Sequence, residues 1–513
     1  MKIIKMNKIA CLFGFLIGFL LIINNTSQSK EKLRWAADAE SNAPFIFCNP
    51  ENPSELIGFE LDIAREIAKV LDMEDVFVQN QWDGLIPGLE RNDYDIAING
   101  LEITPDRLEN INFSKPYYIT FEQIVVRSNQ KDVKNLEELK GKNVGALKYS
   151  LAEKILVEFG GINVRSYEGE VNSFADLETG RLDAVLVDAP IALYYASLNP
   201  KFKLSGEPVG EIVYGIAIKQ SDTVLLNKIN FALTQIINNG RLREILEDWN
   251  LWNTQMGNYL NDDKPSRGVH KRYDEFVASQ SQESGFMRLV KRYVSFLPML
   301  LEAAVVTLGL SIIAMILAIV FGLFVGLVRV FAPSPISKFA VLYIEIIRGT
   351  PLLIQLFFIY FALPKLGLGL SPFLAAVIGL GLNYAAYEAE NYRAGLLSVP
   401  KGQMEAAISL GMRRRDALRF IVIPQAFRIV IPPITNDFIS LLKDSSLVSV
   451  ITMVELTKVY GQIATTYYDW IGPGILVALI YLLLGLPFVR LSRYAEKRLA
   501  VESEKKFGQI ATS

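Results

Sequence analysis

The sequence predicts a two-part molecule: a two-lobed α/β domain followed by an all-α, polytopic membrane domain of about five transmembrane helices. Three observations carry this reading. Residues 31–290 mix dispersed charge with short apolar runs, whereas 294–490 hold uncharged apolar stretches near or above the roughly 20 residues that a membrane helix needs. Within the first half, segments of helical period alternate with segments of strand period. Within the second, basic residues crowd two stretches, from Arg393 to Arg428 and from Arg490 to Arg498, as expected of a cytoplasmic face. The chain has 513 residues, too many for one unit at about 100 to 200 residues per domain. It is 51% hydrophobic, with a net charge of −2 that offers no field for nucleic acid. Its two cysteines, Cys11 and Cys48, form no metal pattern and no disulfide framework.

Residues 1–30 come first. Lys2, Lys5 and Lys8 precede the apolar run Ile9 to Ile23, which reads either as a removed signal peptide or as a retained anchor. Both place the α/β domain outside the cytoplasm. In that domain, at 31–252, "GFELDIAREIAKVLDM" sets Ile63, Ile67, Val70 and Leu71 at helical spacing, and "YDIAING" adds a strand. A second block from Leu136 to Leu198 repeats the style with strands "KNVGAL" and "LDAVLV" and a helix from Ala152 to Phe159. With "VYGIAI" and the helix Leu225 to Trp249 the first lobe resumes. The lobes are expected to join near Ile124 to Arg127 and Glu211 to Ile218. Residues 253–290 read as a polar linker.

The membrane domain is placed at 291–495 and a tail at 496–513. Candidate spans are Leu297 to Val328, with an interfacial start, then Val341 to Leu363, Leu366 to Tyr387, the broken Phe427 to Val454, and Ile471 to Val489. Lys365 and Lys458 alone represent basic residues in the outward loops. Ionisable groups are costly in lipid, so Asn436, Asp437, Lys443 and Asp444 in the fourth span are candidate pathway groups; an amphipathic surface helix explains them as well.

Between two apolar runs lies "EAAISLGMRRRDALRFIVIPQAF" (Glu405 to Phe427). Its helix is expected to be capped by Ser398, entered through Pro400 and ended by Gly411, with a second helix from Arg414 stopping at Pro424. The string resembles the coupling loop of permease subunits of ATP-binding-cassette importers. "YIEIIRGTPLLIQLFFIYFALP" and "AAYEAENYRAGLLSVPKGQ" extend the likeness to their polar amino-acid subfamily over roughly 295–490. The resemblance implies that Glu405, Ala406, Ala407, Gly411 and Pro424 dock on an ATP-binding subunit. No GxxxxGK[ST] string occurs, so ATP is expected on that partner and this chain is expected to be no enzyme and to need no cofactor or metal. One permease unit per chain implies a homodimer in the lipid membrane.

Residues 33–252 resemble the extracytoplasmic solute-binding proteins of the same importers, of the type II two-lobed periplasmic fold, through "WDGLIPGL", "GLEITPDR", "NFSKPYY" and "DAVLVDAP". From the residues alone, Thr104 caps a helix that Pro105 opens, setting Arg107 beside the strand that ends at Gly100, where open α/β sheets bind ligands. Arg107 either grips a carboxylate or pairs with Asp106 or Glu109. Asp188, on the residues alone, caps the next helix; the resemblance implies that it receives the ligand's ammonium, and the two need not exclude each other. The resemblance makes Trp82 an aromatic platform, Phe45 the facing wall and Asp38 a contact to the ligand side chain. Two departures stand out: Glu102 replaces a small hydroxyl residue, and Tyr149 replaces the usual Gly before Ser150. Glu102, Asp38 and Asp188 would make an acidic cavity favouring Lys, Arg, His or Gln-like ligands.

The resulting expectation is a bacterial inner-membrane importer component, multi-pass, with the binding domain outside. The rival readings are an amino-acid-gated receptor or channel, which needs a pore loop or signalling domain not found, and a cyclic-acid dehydratase, for which Glu102 is the one unusual acid.

Overall fold

The computed structural model describes residues 30–40, 43–262, 264–280, 286–467 and 469–510. The N-terminal apolar run, with Lys2, Lys5, Lys8 and Cys11, lies outside them.

The first lobe is a five-stranded sheet in the order Glu74–Gln79, Lys32–Ala37, Ile96–Ala97, Ala217–Lys219, Ile111–Phe113. The first three strands are parallel, and Ala217–Lys219 runs antiparallel to both its neighbours. Its main helix, Phe59–Val70, turns Phe59, Ile63, Ala64 and Ile67 to the core, the stripe its sequence period foretells. The second lobe is also a five-stranded sheet, ordered Phe202–Tyr214, Tyr118–Arg127, Ala184–Asp188, Asn143–Leu147, Asn163–Tyr167.

Two chain crossings join the lobes side by side. The Ser114 N–H donates to the Ile216 carbonyl at 2.9 Å, and the Tyr117 N–H to that of Tyr214 at 3.1 Å. The crossing expected within Glu211 to Ile218 is therefore present, but the one expected at Ile124 to Arg127 is not. Those residues pair deep inside the second sheet, and the chain changes lobe at the other end of the same strand. An unbroken apolar run reports a strand without saying which end is the hinge.

The polar segment after residue 252 is not a loose linker. It forms helices Thr254–Leu260 and Lys271–Gln280, and Met256 and Phe276 enter the receptor core. Phe276 lies 5.5 Å from Phe47 and 5.0 Å from Tyr194, ring to ring. Two apolar anchors are too few to show as a periodic face in the sequence.

The membrane half opens with one helix, Phe286–Phe331, of 46 residues, unbroken at Pro298; no separate interfacial segment precedes it among the described residues. Three helices among those residues are long and apolar enough to cross a membrane: Leu289–Phe331, Arg414–Ile451 and Ile471–Tyr494. Two further helices are apolar enough only when taken together, as a sharply bent pair. The span expected at Val341 to Leu363 is two helices, Ser334–Gly349 and Leu352–Ala362, bent by 107°. Thr350 is forced extended because a proline follows it, and Pro351 then caps the second piece.

The remaining expected span, Leu366 to Tyr387, falls on helix Pro372–Ser398, the interior helix of the bundle, which is not among the helices apolar enough to cross. It packs along the first helix so closely that a Cβ on Gly322 would lie 2.8 Å from the Ala385 carbonyl oxygen, and one on Gly326 3.1 Å from that of Ala389. Small residues four apart admit backbones in this way, and the gain is dispersion and packing rather than water exclusion. Arg329 on the first helix pairs with Glu390, which also pairs with Arg393 at 2.9 Å. The last helix, Ile471–Ile510, absorbs most of the expected tail.

Candidate functional site

A cavity of about 140 Å³ lies between the lobes. The first lobe contributes Asp38, Glu40, Trp82 and Asp83; the second contributes Lys148, Tyr149, Glu168 and Asn172; and the membrane domain covers it with Gly461, Thr465 and Trp470. Asp38 stands just past the strand Lys32–Ala37. Its oxygens accept from the Trp82 N–H at 3.1 Å, the Glu40 N–H at 3.1 Å and Gln79 Nε2 at 3.0 Å. It therefore sets the position of Trp82, whose indole N–H crosses the cleft to the Lys148 carbonyl at 3.2 Å. Asp83 is pushed above the usual carboxylate range by burial and then by the charge of Glu168.

Arg107 sits where the sequence places it, behind an N-cap at Thr104 and Pro105. It pairs with neither Asp106, which Lys154 holds at 2.5 Å, nor Glu109. It turns inward to the Glu102 carboxylate, donates to the Tyr149 carbonyl at 3.1 Å, and stacks its guanidinium 5.5 Å from the Trp82 ring. The other Glu102 oxygen accepts the Leu151 N–H at 2.9 Å, at the start of helix Leu151–Phe159 in the opposite lobe. Glu102 thus closes a bridge between the lobes, using both oxygens as acceptors. Ser150 caps that helix, accepting from the Glu153 N–H at 3.3 Å and donating to the Leu147 carbonyl. Tyr149 holds φ of +63°, a backbone that explains why glycine is usual at this turn.

Asp188 does not cap its helix with its side chain. It accepts from the Tyr214 hydroxyl and faces Glu122, and both carboxyls are raised by burial first and then by neighbouring acids, Glu102 foremost for Asp188 and Asp188 foremost for Glu122. Glu60 is pushed up to about 8 by burial, against hydrogen bonds from Tyr117 and the Gly100 N–H. Phe45 packs on Phe59 and Tyr214 and touches Gly100 rather than forming the wall opposite Trp82. The expected set therefore divides. Asp38 and Trp82 line the cavity, with Arg107 behind Trp82; Gly100, Glu102 and Asp188 belong to an adjoining buried carboxylate cluster. Asp83, Glu168, Glu60 and Glu122 join the site without having been expected there. For Glu122 a signal exists: it is the one acid in the otherwise uncharged run "YITFEQIVV". Among the described residues, no three His, Cys, Asp or Glu side chains are grouped to hold a metal ion.

At the other functional element, helix Lys401–Ser409 ends in a left-handed turn at Gly411 (φ +85°), with the Gly411 N–H bonded to Ile408 and the Met412 N–H to Ala407. Ser398 is not its cap. It ends the preceding helix, its hydroxyl donating to the Gly395 carbonyl at 2.8 Å, and Pro400 opens the next. Nor does Pro424 stop the second helix. A wide π turn, Leu418–Val422, makes room for the proline ring, and the helix continues as Ile423–Asp444. Ala407 is buried while Glu405, Ala406, Gly411 and Pro424 are exposed, and Leu410 stands 85% exposed at the tip.

The four polar residues of that long helix do not share one face. Asp437 accepts from Asn391 at 2.8 Å and Asp444 from the Tyr384 hydroxyl at 2.7 Å, both toward the interior helix. Asn436 accepts from Ser492, and Lys443 lines a separate groove against the last helix.

A two-lobed receptor whose cleft is covered by its own membrane bundle defines a membrane-embedded uptake component. Known proteins place it further. Residues 318–501 match the family described as "Binding-protein-dependent transport system inner membrane component", and residues 33–251 match "Bacterial extracellular solute-binding proteins, family 3". The glutamine transport system permease protein GlnP of Escherichia coli K12 is 37% identical over 207 residues, 40% of this chain and 94% of that protein. The L-cystine transport system permease protein TcyB of Bacillus subtilis is 42% identical over 177 residues, 34% of this chain and 76% of that protein. Among solved structures, an ancestral arginine-binding protein bound to glutamine is 34% identical, covering 44% of this chain and all of that one, with a TM-score of 0.41. Holo ArgBP from T. maritima is 32% identical, covering 40% and 90%, with a TM-score of 0.38. The chain belongs to the binding-protein-dependent transport system inner membrane component family, with a family 3 solute-binding domain fused ahead of the permease.

Proposed function

We propose that the chain is the receptor and pore of an importer for amino acids with cationic or amide side chains, driven by an ATP-binding subunit on a separate polypeptide. The observation that carries the substrate class is the cavity wall, where Asp38, Glu40, Asp83 and Glu168 outnumber the one lining cation, Lys148. An acidic wall repels glutamate and aspartate and attracts cations. Relatives whose names specify glutamine, arginine and cystine support an amino-acid cargo. The ligand's carboxylate goes to Arg107 once Glu102 yields, and its ammonium to Asp188, each charge-assisted contact contributing about 1.5 to 3 kcal/mol.

The receptor lies outside the cytoplasm and the Glu405 to Pro424 element inside. What supports this is the helical run Arg414–Ile451, long enough to cross, which starts within that element and ends next to Thr452, whose hydroxyl lies 3.3 Å from that of Tyr360, itself bonded by Arg91 of the receptor. A second copy closes the pathway. In the transport cycle, ligand closes the lobes, and closure of the ATPase pair drives the exposed Leu410 turn and the rod behind it. Calorimetric titration of the purified chain with the common amino acids tests the substrate: arginine, lysine, histidine or glutamine binds tightest, and a preference for glutamate or aspartate ends the proposal. Uptake into proteoliposomes with and without a co-reconstituted ATPase subunit tests the rest, since transport without it points to a channel.

A further inference from the structure

Helix Leu456–Tyr467 is not one of the spans, yet it buries a lysine. Lys458 pairs with Glu40 of the first lobe at 2.8 Å. The helix is fastened at its N-terminus: one Glu455 oxygen accepts the N–H groups of Thr457 and Lys458 at 2.8 and 3.0 Å, and the other accepts from the Tyr481 hydroxyl of the last helix at 3.0 Å. From there Lys458, Gly461 and Thr465, at helical spacing, form a stripe that meets the receptor, and Tyr467 at the helix end adds a contact from another face. Gly461 lies against the Glu40 carboxylate, where a Cβ would come within 2.9 Å. Thr465 lines the cavity, and the Tyr467 hydroxyl donates to the Pro50 carbonyl at 2.9 Å. A second, separate contact joins the same lobe: the Arg91 guanidinium stacks 4.4 Å from the Tyr360 ring and donates to its hydroxyl at 3.0 Å.

These polar contacts all start from the first lobe. The second lobe's residues at the cavity, Lys148, Tyr149 and Glu168, instead meet Trp470 and Gly461 across open space. Glu40 is also wired to the ligand site, since its N–H donates to Asp38, which orients Trp82. A buried lysine that loses its counter-charge is strongly destabilised, so Lys458 ties the docked position of this helix to the presence of Glu40.

We propose that helix Leu456–Tyr467 is a one-sided clamp: Lys458 fixes the first lobe to the permease, the second lobe is the one that swings open, and ligand leaves the cleft past Gly461 and Thr465. This rests on the import reading above and assigns Lys458 as a positioning residue for delivery, not a ligand contact. The test uses the full chain with its ATPase subunit in proteoliposomes. Lys458→Met and Glu40→Gln are each expected to cut ATP-driven uptake about tenfold or more, the effect of stranding one member of a desolvated charge pair. Ligand affinity of Lys458→Met stays within about twofold, which also certifies its folding, because Lys458 does not line the cavity; Glu40→Gln is read by uptake at saturating ligand, since Glu40 does. The exchanged pair, Lys458→Glu with Glu40→Lys, is assayed at saturating amino acid because it puts a cation on the cavity wall, and its maximal uptake recovers to within about threefold of the parent, as a pairwise coupling requires. Single variants that transport like the parent, or an exchanged pair no better than the singles, overturn the clamp. Parent uptake that does not depend on the ATPase subunit defeats the import reading instead, so the two failures are distinguishable.

Discussion

Tyr149 occupies a left-handed turn (φ +63°) that costs a residue bearing a Cβ about 1 kcal/mol, and it is kept there by its N–H to Glu153 and its carbonyl to Arg107. Tyr149→Gly should therefore fold at least as stably as the parent while losing one wall of the cavity; a melting temperature no lower, with weaker ligand binding, is the expected result. The buried acids give a sharper forecast. Glu60 has an ordinary value of 4.5 unfolded and about 8 folded, so the folded state holds its proton more tightly. Its contribution to stability is complete below about pH 4.5 and is lost as pH rises through about 8. Asp188 and Glu122 shift in the same direction. The melting temperature of the ligand-free receptor should fall across that window. A ligand ammonium at Asp188 favours its charged form, so binding releases protons and tightens as pH rises toward neutrality. Titrations in buffers of different ionisation enthalpy check this; affinity independent of pH refutes it. Asp188→Asn should weaken binding about 10- to 100-fold, the worth of one charge-assisted hydrogen bond.

Helices are legible in the sequence more surely than their ends. The Gly411 turn is plain because glycine is the residue that ends helices in the left-handed region, and Thr104 with Pro105 announces Arg107 by the same local chemistry. Ser398 and Pro424 mislead because a serine hydroxyl can bond backward within a helix as well as cap the next one, and because a π turn accommodates a proline that an α turn rejects. The lobe crossing at Ser114 to Tyr117 lies one strand length from its expected place, since hydrophobic period carries no information on topology. The carboxylate cluster is half visible: "GLEITPDR" shows Glu102, but Glu60 and Glu122 come from elements far apart in sequence that only tertiary packing unites. At this scale the prediction concerns the exposed tip. Leu410→Glu should leave ligand affinity unchanged and abolish most ligand-stimulated ATP hydrolysis, because Leu410 is 85% exposed within its own chain and, on the coupling proposed above, a charge there replaces the apolar tip that meets the ATP-binding subunit.

For the whole molecule, the segment joining receptor to bundle is part of the receptor. Phe276 fills its core, and Phe276→Ala should cost about 3 to 5 kcal/mol there, read as a lower melting temperature of the receptor transition with the bundle's own transition unmoved. Limited proteolysis of sealed vesicles should cut the Gly411 turn from the face opposite the receptor; cleavage of both from one face contradicts the proposed orientation.

Covalent union of receptor and pore carries one more consequence. Receptor domains made as part of this chain cannot outnumber its pore domains, and each stays beside its own pore. The concentration at which uptake saturates is then governed by the cleft's own dissociation constant and the turnover of each unit, and scavenging from dilute surroundings must be achieved by tighter grip rather than by greater numbers.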